Sequence, residues 1–215
     1  MSGLTEKTAS GGTTDSDAAW IWDLVDLAAA QAAGDVGAMD AAFGRLREAG
    51  RQEQVEEALL QSYLFLGFPA AIEGLRRWRG AGVDTLASSE EDPGLWLERG
   101  EQTCAIVYGD HYERLRENIA RLHPDLDRWM VVEGYGKVLG RPALDLAVRE
   151  MLIVAMLVVQ GESGRRQLRS HLKGALSAGV SPGDVVRTIE HAAAFAAPKN
   201  RELALKLWSV VFADS

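Results

Sequence analysis

The chain of 215 residues is short of several things, and each shortage excludes a class of protein. One cysteine, Cys104, leaves no intramolecular disulfide and no dithiol redox pair within the chain. An excess of basic residues is missing too. Lys and Arg number 23 against 31 Asp and Glu, a formal net charge of −8, which argues against a nucleic-acid partner needing clustered cations on its phosphates. The local basic runs, Arg76-Arg77-Trp78-Arg79 and Arg165-Arg166, are surrounded by acids and read as solvated helix faces. Residues 1–14 are polar and Gly/Ser/Thr-rich, without the apolar stretch of a secretion signal. The apolar run Met151–Val159 is too short to cross a bilayer. A cytoplasmic protein with no membrane partner is the expectation.

What is present is helical periodicity, with no convincing strand pattern, so the fold class is all-α. Residues 1–15 read as a disordered tail. Ser16 or Asp17 can cap a helix through Ala33, and Gly34-Asp35 opens a second that ends at Gly50, a C′ glycine in the left-handed region. A third runs over Gln52–Leu66, and Gly67-Phe68-Pro69 turns a corner into Ala70–Arg79. Small and acidic, the stretch from Gly80 to Gly94 is a linker. Beyond it the pattern predicts one long helix over Leu95–Leu122, a shorter one around Asp125–Glu133, and a loop at Gly134-Tyr135-Gly136. Helices over 145–160, 164–178, 182–196 and 199–212 complete the chain. Ser181-Pro182-Gly183-Asp184 is a strong start signal for the third of these.

The order helix, helix, helix–Pro occurs twice, about 129 residues apart, with Gly50 over Gly179 and Pro69 over Pro198. The expected organisation is therefore two fused repeats: 1–15 tail, 16–80 a degenerate repeat, 81–94 linker and 95–213 the main domain. At that offset Glu150 falls on Ile21 and His171 on Ala42. A copy that carries Ile and Ala there can pack but cannot move protons, so any chemistry belongs to the second copy.

His171 shares a helix face with Leu168, Leu172, Ala175 and Leu176 and points to the core or a pocket in it. Glu150 immediately precedes nine apolar residues, where a carboxylate is partly desolvated. It is either a first-turn acid beside the helix dipole and Arg149, or the partner that orients His171. Arg141, Arg149 and Arg169 are candidate carboxylate clamps, because a guanidinium can bind a carboxylate through two bonds. His191 lies roughly opposite the Val185/Ile189/Ala193/Ala196 stripe, facing solvent or a subunit contact. Cys104 and His111 share a face but lie about 10 Å apart along the axis. No metal site is expected, and Cys104 reads as a small buried hydrophobe.

Taken in order, several motifs resemble the carboxymuconolactone decarboxylase family. They are Arg99-Gly100-Glu101, Tyr108-Gly109-Asp110-His111, Tyr135-Gly136, Arg141-Pro142, Arg149-Glu150, Arg169-Ser170-His171-Leu172 and Gly174-Ala175-Leu176 with Gly179. The resemblance covers about residues 95–210 and implies an alkylhydroperoxidase D-like helical fold that assembles into homo-oligomers. With two copies per chain, a homotrimer would present six units in a ring, and a homodimer is the alternative. The family's peroxidase branch carries Cys-x-x-Cys ahead of its histidine, where this chain has Gly164 and Gln167. Without a thiol nucleophile that reaction is disfavoured. The other branch decarboxylates a carboxylated muconolactone without a cofactor. It would make His171 the proton donor or base and Glu150 its orienting partner, with Arg141, Arg149, Arg169 and Tyr135 as substrate-binding residues. A departure is Ala196-Ala197-Pro198 where the family has Gly-Phe-Pro, a tripeptide found here only at Gly67-Phe68-Pro69. A non-catalytic oligomeric scaffold is the alternative function, and it predicts that Glu150 and His171 stand apart.

Overall fold

A computed structural model describes residues 18–84 and 92–213, and among them no strand forms. The expected tail, the Ser16 or Asp17 cap and the middle of the linker lie outside the described residues. The first three helices are α1 (Ala19–Ala33), α2 (Val36–Glu48) and α3 (Gln52–Gly80). Gly34 ends α1 at φ 70° and Asp35 caps α2 by accepting from the Ala38 N–H at 3.0 Å. Gly50 is left-handed, at φ 70°, as the sequence predicts. The corner at 67–69 is a break inside α3, with Gly67 at φ 83°, ψ 163°. Pro69 has no N–H for the Phe65 carbonyl, and the Gln160 side-chain amide donates to that carbonyl instead at 2.8 Å.

Next come α4 (Pro93–Tyr108), α5 (Tyr112–Leu122) and α6 (Pro124–Trp129), followed by a π-helix over Met130–Leu139. Two expectations need correcting here. The single helix over Leu95–Leu122 is broken at Gly109, whose φ of 50° no helix accommodates, and a 3₁₀ turn links α4 to α5. Gly134-Tyr135-Gly136 is not a loop but lies inside the π-helix. Its Gly136 is there for contact: a Cβ would sit 1.9 Å from the Trp96 carbonyl oxygen. Gly100 on α4 answers it, since a Cβ there would be 2.2 Å from the Val131 oxygen. Backbone meets backbone at this crossing, and no other residue fits.

The last four helices are α7 (Leu146–Gln160), α8 (Arg165–Ser177), α9 (Pro182–Ala193) and α10 (Pro198–Ala213). Ser181 caps α9 by accepting from the Asp184 N–H at 3.1 Å. Every residue from Val148 to Val158 is buried, so α7 is the central helix, as its unbroken apolar run requires. It packs on α1, α8, α9 and α3. One continuous core joins Leu24–Ala30 of α1, Phe43 and Leu46 of α2, and Leu152–Val158 of α7. The two halves cross-pack: α1 lies on α9 and α3 on α7.

The basic run at Arg76–Arg79 is matched by acids. Arg77 pairs with Asp40 at 2.5 Å and Arg79 with Glu56 at 2.7 Å, while Trp78 is buried. The expectation that no apolar run is long enough to span a membrane also needs correcting. By length and composition α3 contains one such 18-residue window, although Gly67 breaks the helix and its buried face packs in the shared core.

Candidate functional site

Glu150 sits in the first turns of α7 and is 0% exposed; His171 on α8 is 5% exposed. The two helices are antiparallel neighbours, and they bring the His171 Nδ1 to 2.8 Å from the Glu150 Oε2. A bond donated by Nδ1 to this carboxylate oxygen would set the tautomer of the ring, leaving Nε2 as its other polar atom. The space for the bond comes from Gly174, one turn past His171. A Cβ at that position would lie 2.9 Å from Glu150 Oε2 and 2.7 Å from Val107 Cγ1. The second carboxylate oxygen, Oε1, is buried with no hydrogen-bond partner among the described residues. A buried polar atom in that state is costly for the fold. On its other side the imidazole meets the Phe65 ring of α3, edge-on at 5.4 Å.

A pair of tyrosines lies within electrostatic reach of Glu150. Tyr135, buried in the π-helix, donates to the Tyr108 hydroxyl at 3.2 Å. Burial pushes the Tyr108 phenol up to about 12, with the Tyr135 bond opposing and the charge of Glu150 adding. Burial likewise holds Tyr135 well above the usual phenol range, again with Tyr108 and Glu150 adding. Both are therefore neutral hydroxyls at ordinary pH. Cys104, 0% exposed, is pushed up to about 12 mainly by burial. A thiol so rarely ionised is a poor nucleophile.

The arginines are placed differently from the sequence expectation. Arg149 is 0% exposed and donates to Glu57 Oε2 at 2.7 Å, Gln61 Oε1 at 3.1 Å, and the Leu144 and Arg141 carbonyls at 3.1 Å each. Arg141 holds the same Glu57, Nε to Oε1 at 2.8 Å and to Oε2 at 3.0 Å. Burial lowers the Arg149 pKa and the bond to Glu57 opposes that shift. Both side chains thus tie α3 to α7 and to the turn before it, and Arg149 has no open face for a ligand. Arg169 is exposed on α8. His191 bonds Asp26 Oδ1 through Nδ1 at 2.8 Å and stacks on Trp22 at 5.1 Å, pinning α9 to α1.

Sequence reasoning missed Glu57, Gln61 and Phe65, all on α3. The one available signal was the pair Glu56-Glu57 one turn into a helix whose other face is apolar. It also missed a cavity of about 770 Å³ beside α8, whose wall includes Tyr108, His111, Arg114, Asn118, Ser170 and Lys173. Among the described residues no three His, Cys, Asp or Glu side chains gather as a metal ion would require.

With this geometry in view, known proteins add two findings. Residues 124–208 match the model of the carboxymuconolactone decarboxylase family. Over 94 residues the chain is also 29% identical to an uncharacterized 15.0 kDa protein in the nqo9–nqo10 intergenic region of Paracoccus denitrificans. That stretch is 44% of this chain and 70% of the other. The matched segment contains Tyr135, Glu150 and His171, whereas Glu57 and Phe65 precede it.

Proposed function

We propose that this chain, whose residues 124–208 match the carboxymuconolactone decarboxylase family model, is a cofactor-free decarboxylase of a small carboxylated lactone or a related product of aromatic ring cleavage. The observation that supports it is the buried 2.8 Å bond between His171 and Glu150. Breaking the C–CO₂⁻ bond leaves its electron pair on carbon, delocalised as an enolate, and the carbon must then be protonated. His171 supplies that proton from Nε2 and is recharged from water, while Glu150 holds the ring and balances the imidazolium charge. Tyr108, kept neutral and accepting the Tyr135 hydroxyl, is a donor available to the developing enolate. In this reading residues 16–80 are the degenerate copy, and the cytoplasmic protein acts as a homotrimer or homodimer. The test is carbon dioxide release from 4-carboxymuconolactone. His171→Ala and Glu150→Gln are expected to lower kcat by about 100-fold or more. Full turnover in His171→Ala would sink the reading.

A second reading, a non-catalytic scaffold, loses its expectation that Glu150 and His171 stand apart, since they meet at 2.8 Å, and draws on one observation: His171 does not line the 770 Å³ cavity. It expects no turnover in the parent chain with any carboxylated lactone.

A further inference from the structure

Both arginines that the sequence offers nearest Glu150 are engaged by Glu57. The positive charge that an anionic ligand needs must therefore come from elsewhere in the molecule. Most guanidinium groups here face a carboxylate, as at Arg45–Asp23, Arg116–Asp127 and Arg201–Glu190. Arg114 and Lys173 do not: among the described residues neither makes a hydrogen bond or an ion pair. Both line the cavity between the α4–α5 corner and α8, and His111 lines it with them. Asp110 is the one acid on that wall. A chain with a net charge of −8 has here a cavity whose fixed charges sum to positive. Lys173 is only half-exposed, and Arg114 is exposed.

We propose that this cavity is a binding site for a small organic carboxylate, held by Arg114 and Lys173 from opposite walls, with Tyr108 and Asn118 as hydrogen-bonding groups. An organic anion fits better than inorganic phosphate, because Val107, Leu115 and Leu176 give the cavity an apolar floor. About 770 Å³ is the size of an ordinary small-molecule pocket, large enough for a single ring with its substituents. Arg114 offers a planar fork to a carboxylate, and Lys173 a second point charge. The assignment goes beyond the proposed reaction: His171 does not line this cavity, although Ser170 and Lys173 on either side of it on α8 do. The binding itself does not depend on turnover.

The experiment is titration calorimetry with amide chemical-shift mapping on the full chain, using phthalate as probe. Phthalamide serves as its uncharged analogue and inorganic phosphate as the second anion. Expected are saturable binding of phthalate with shifts at Gly109, Asp110, Ser170 and Lys173, and none with phthalamide. Arg114→Gln and Lys173→Gln should each weaken it about tenfold, a change of about 1.4 kcal/mol, without moving the thermal midpoint. His171→Ala should bind phthalate as the parent does. Absence of saturable shifts, equal binding of phthalamide, phosphate binding as tightly as phthalate, or an unchanged Kd in both variants would overturn the site. Phthalate binding together with full turnover in His171→Ala would uphold the site and remove the catalytic reading.

Discussion

Replacing Arg149 by Met measures how strongly the two halves are tied together. Methionine keeps the flexible apolar stem and most of the volume of the side chain and removes the guanidinium, so the change acts mainly on the polar network. Four acceptors lose a donor: Glu57 Oε2, Gln61 Oε1 and the carbonyls of Leu144 and Arg141. Removing one partner of a buried ion pair costs about 3–5 kcal/mol, because the remaining charge is left uncompensated. Glu57 keeps Arg141, at 2.8 Å, which moves the value toward the lower end. The two carbonyls and Gln61 are partly or wholly buried, and each orphaned acceptor adds about 1 kcal/mol or more. A loss of about 6 kcal/mol is expected, a large part of the roughly 5–15 kcal/mol that holds a domain of this kind together. Urea unfolding followed by circular dichroism gives the number, with the m-value checking that the transition stays two-state. Arg45→Met is the comparison. Its ion pair with Asp23 is half-exposed, so it should cost less than about 1 kcal/mol. If Arg149→Met costs no more than Arg45→Met, the network is not what joins α3 to α7.

Two further predictions concern the dyad and the groups around it. Gly174→Ala places a methyl against Val107 Cγ1 and Glu150 Oε2, and overpacking of this kind costs about 1–3 kcal/mol. It should lower turnover at least about tenfold and shift the His171 ring resonances; an unmoved ring would refute the role given to Gly174. For alkaline stability, the folded chain holds the Cys104 thiol and the Tyr108 phenol at about 12, above their ordinary values of 9.0 and 10.0. The folded state then keeps protons that the unfolded chain releases, so stability is complete below about pH 9 and falls as pH rises toward 12. The urea midpoint should drop across that window, and a flat or rising midpoint would contradict the burial of these groups.

Much of the fold was legible because its signals are local. Ser181 as a cap, Gly50 as a left-handed stop and Gly67-Phe68-Pro69 as a corner each act within a few residues, and each stands where the sequence predicts. The π-helix was not legible. Gly134-Tyr135-Gly136 has the composition of a loop, and only the approach of Trp96 and Val131 shows what the glycine at 136 is for. The break at Gly109 was hidden by continuous helical periodicity on both sides. The candidate site divides along the same line. The faces of α7 and α8 mark Glu150 and His171 as inward, but their contact depends on helix register across a crossing, which periodicity does not carry. Arg141 and Arg149 look like ligand clamps only while Glu57, far away in sequence, is out of view.

Arg149 and Glu150 are adjacent on α7, and successive helical residues point about 100° apart. Arg149 is gripped by Glu57 and Gln61 of α3, and Glu150 by His171 of α8. The rotation of α7 about its own axis is thereby fixed from two sides, by one helix of each half. Phe65 and the Gln160–Phe65 bond brace the same corner, so α3 both sets the angle of the carboxylate and covers the imidazole. A first half lacking Glu at 21 and His at 42 would thus still be required by the chemistry proposed for the second. Its contribution is geometric: a carboxyl group and an imidazole stay 2.8 Å apart inside an apolar core only if neither helix can turn.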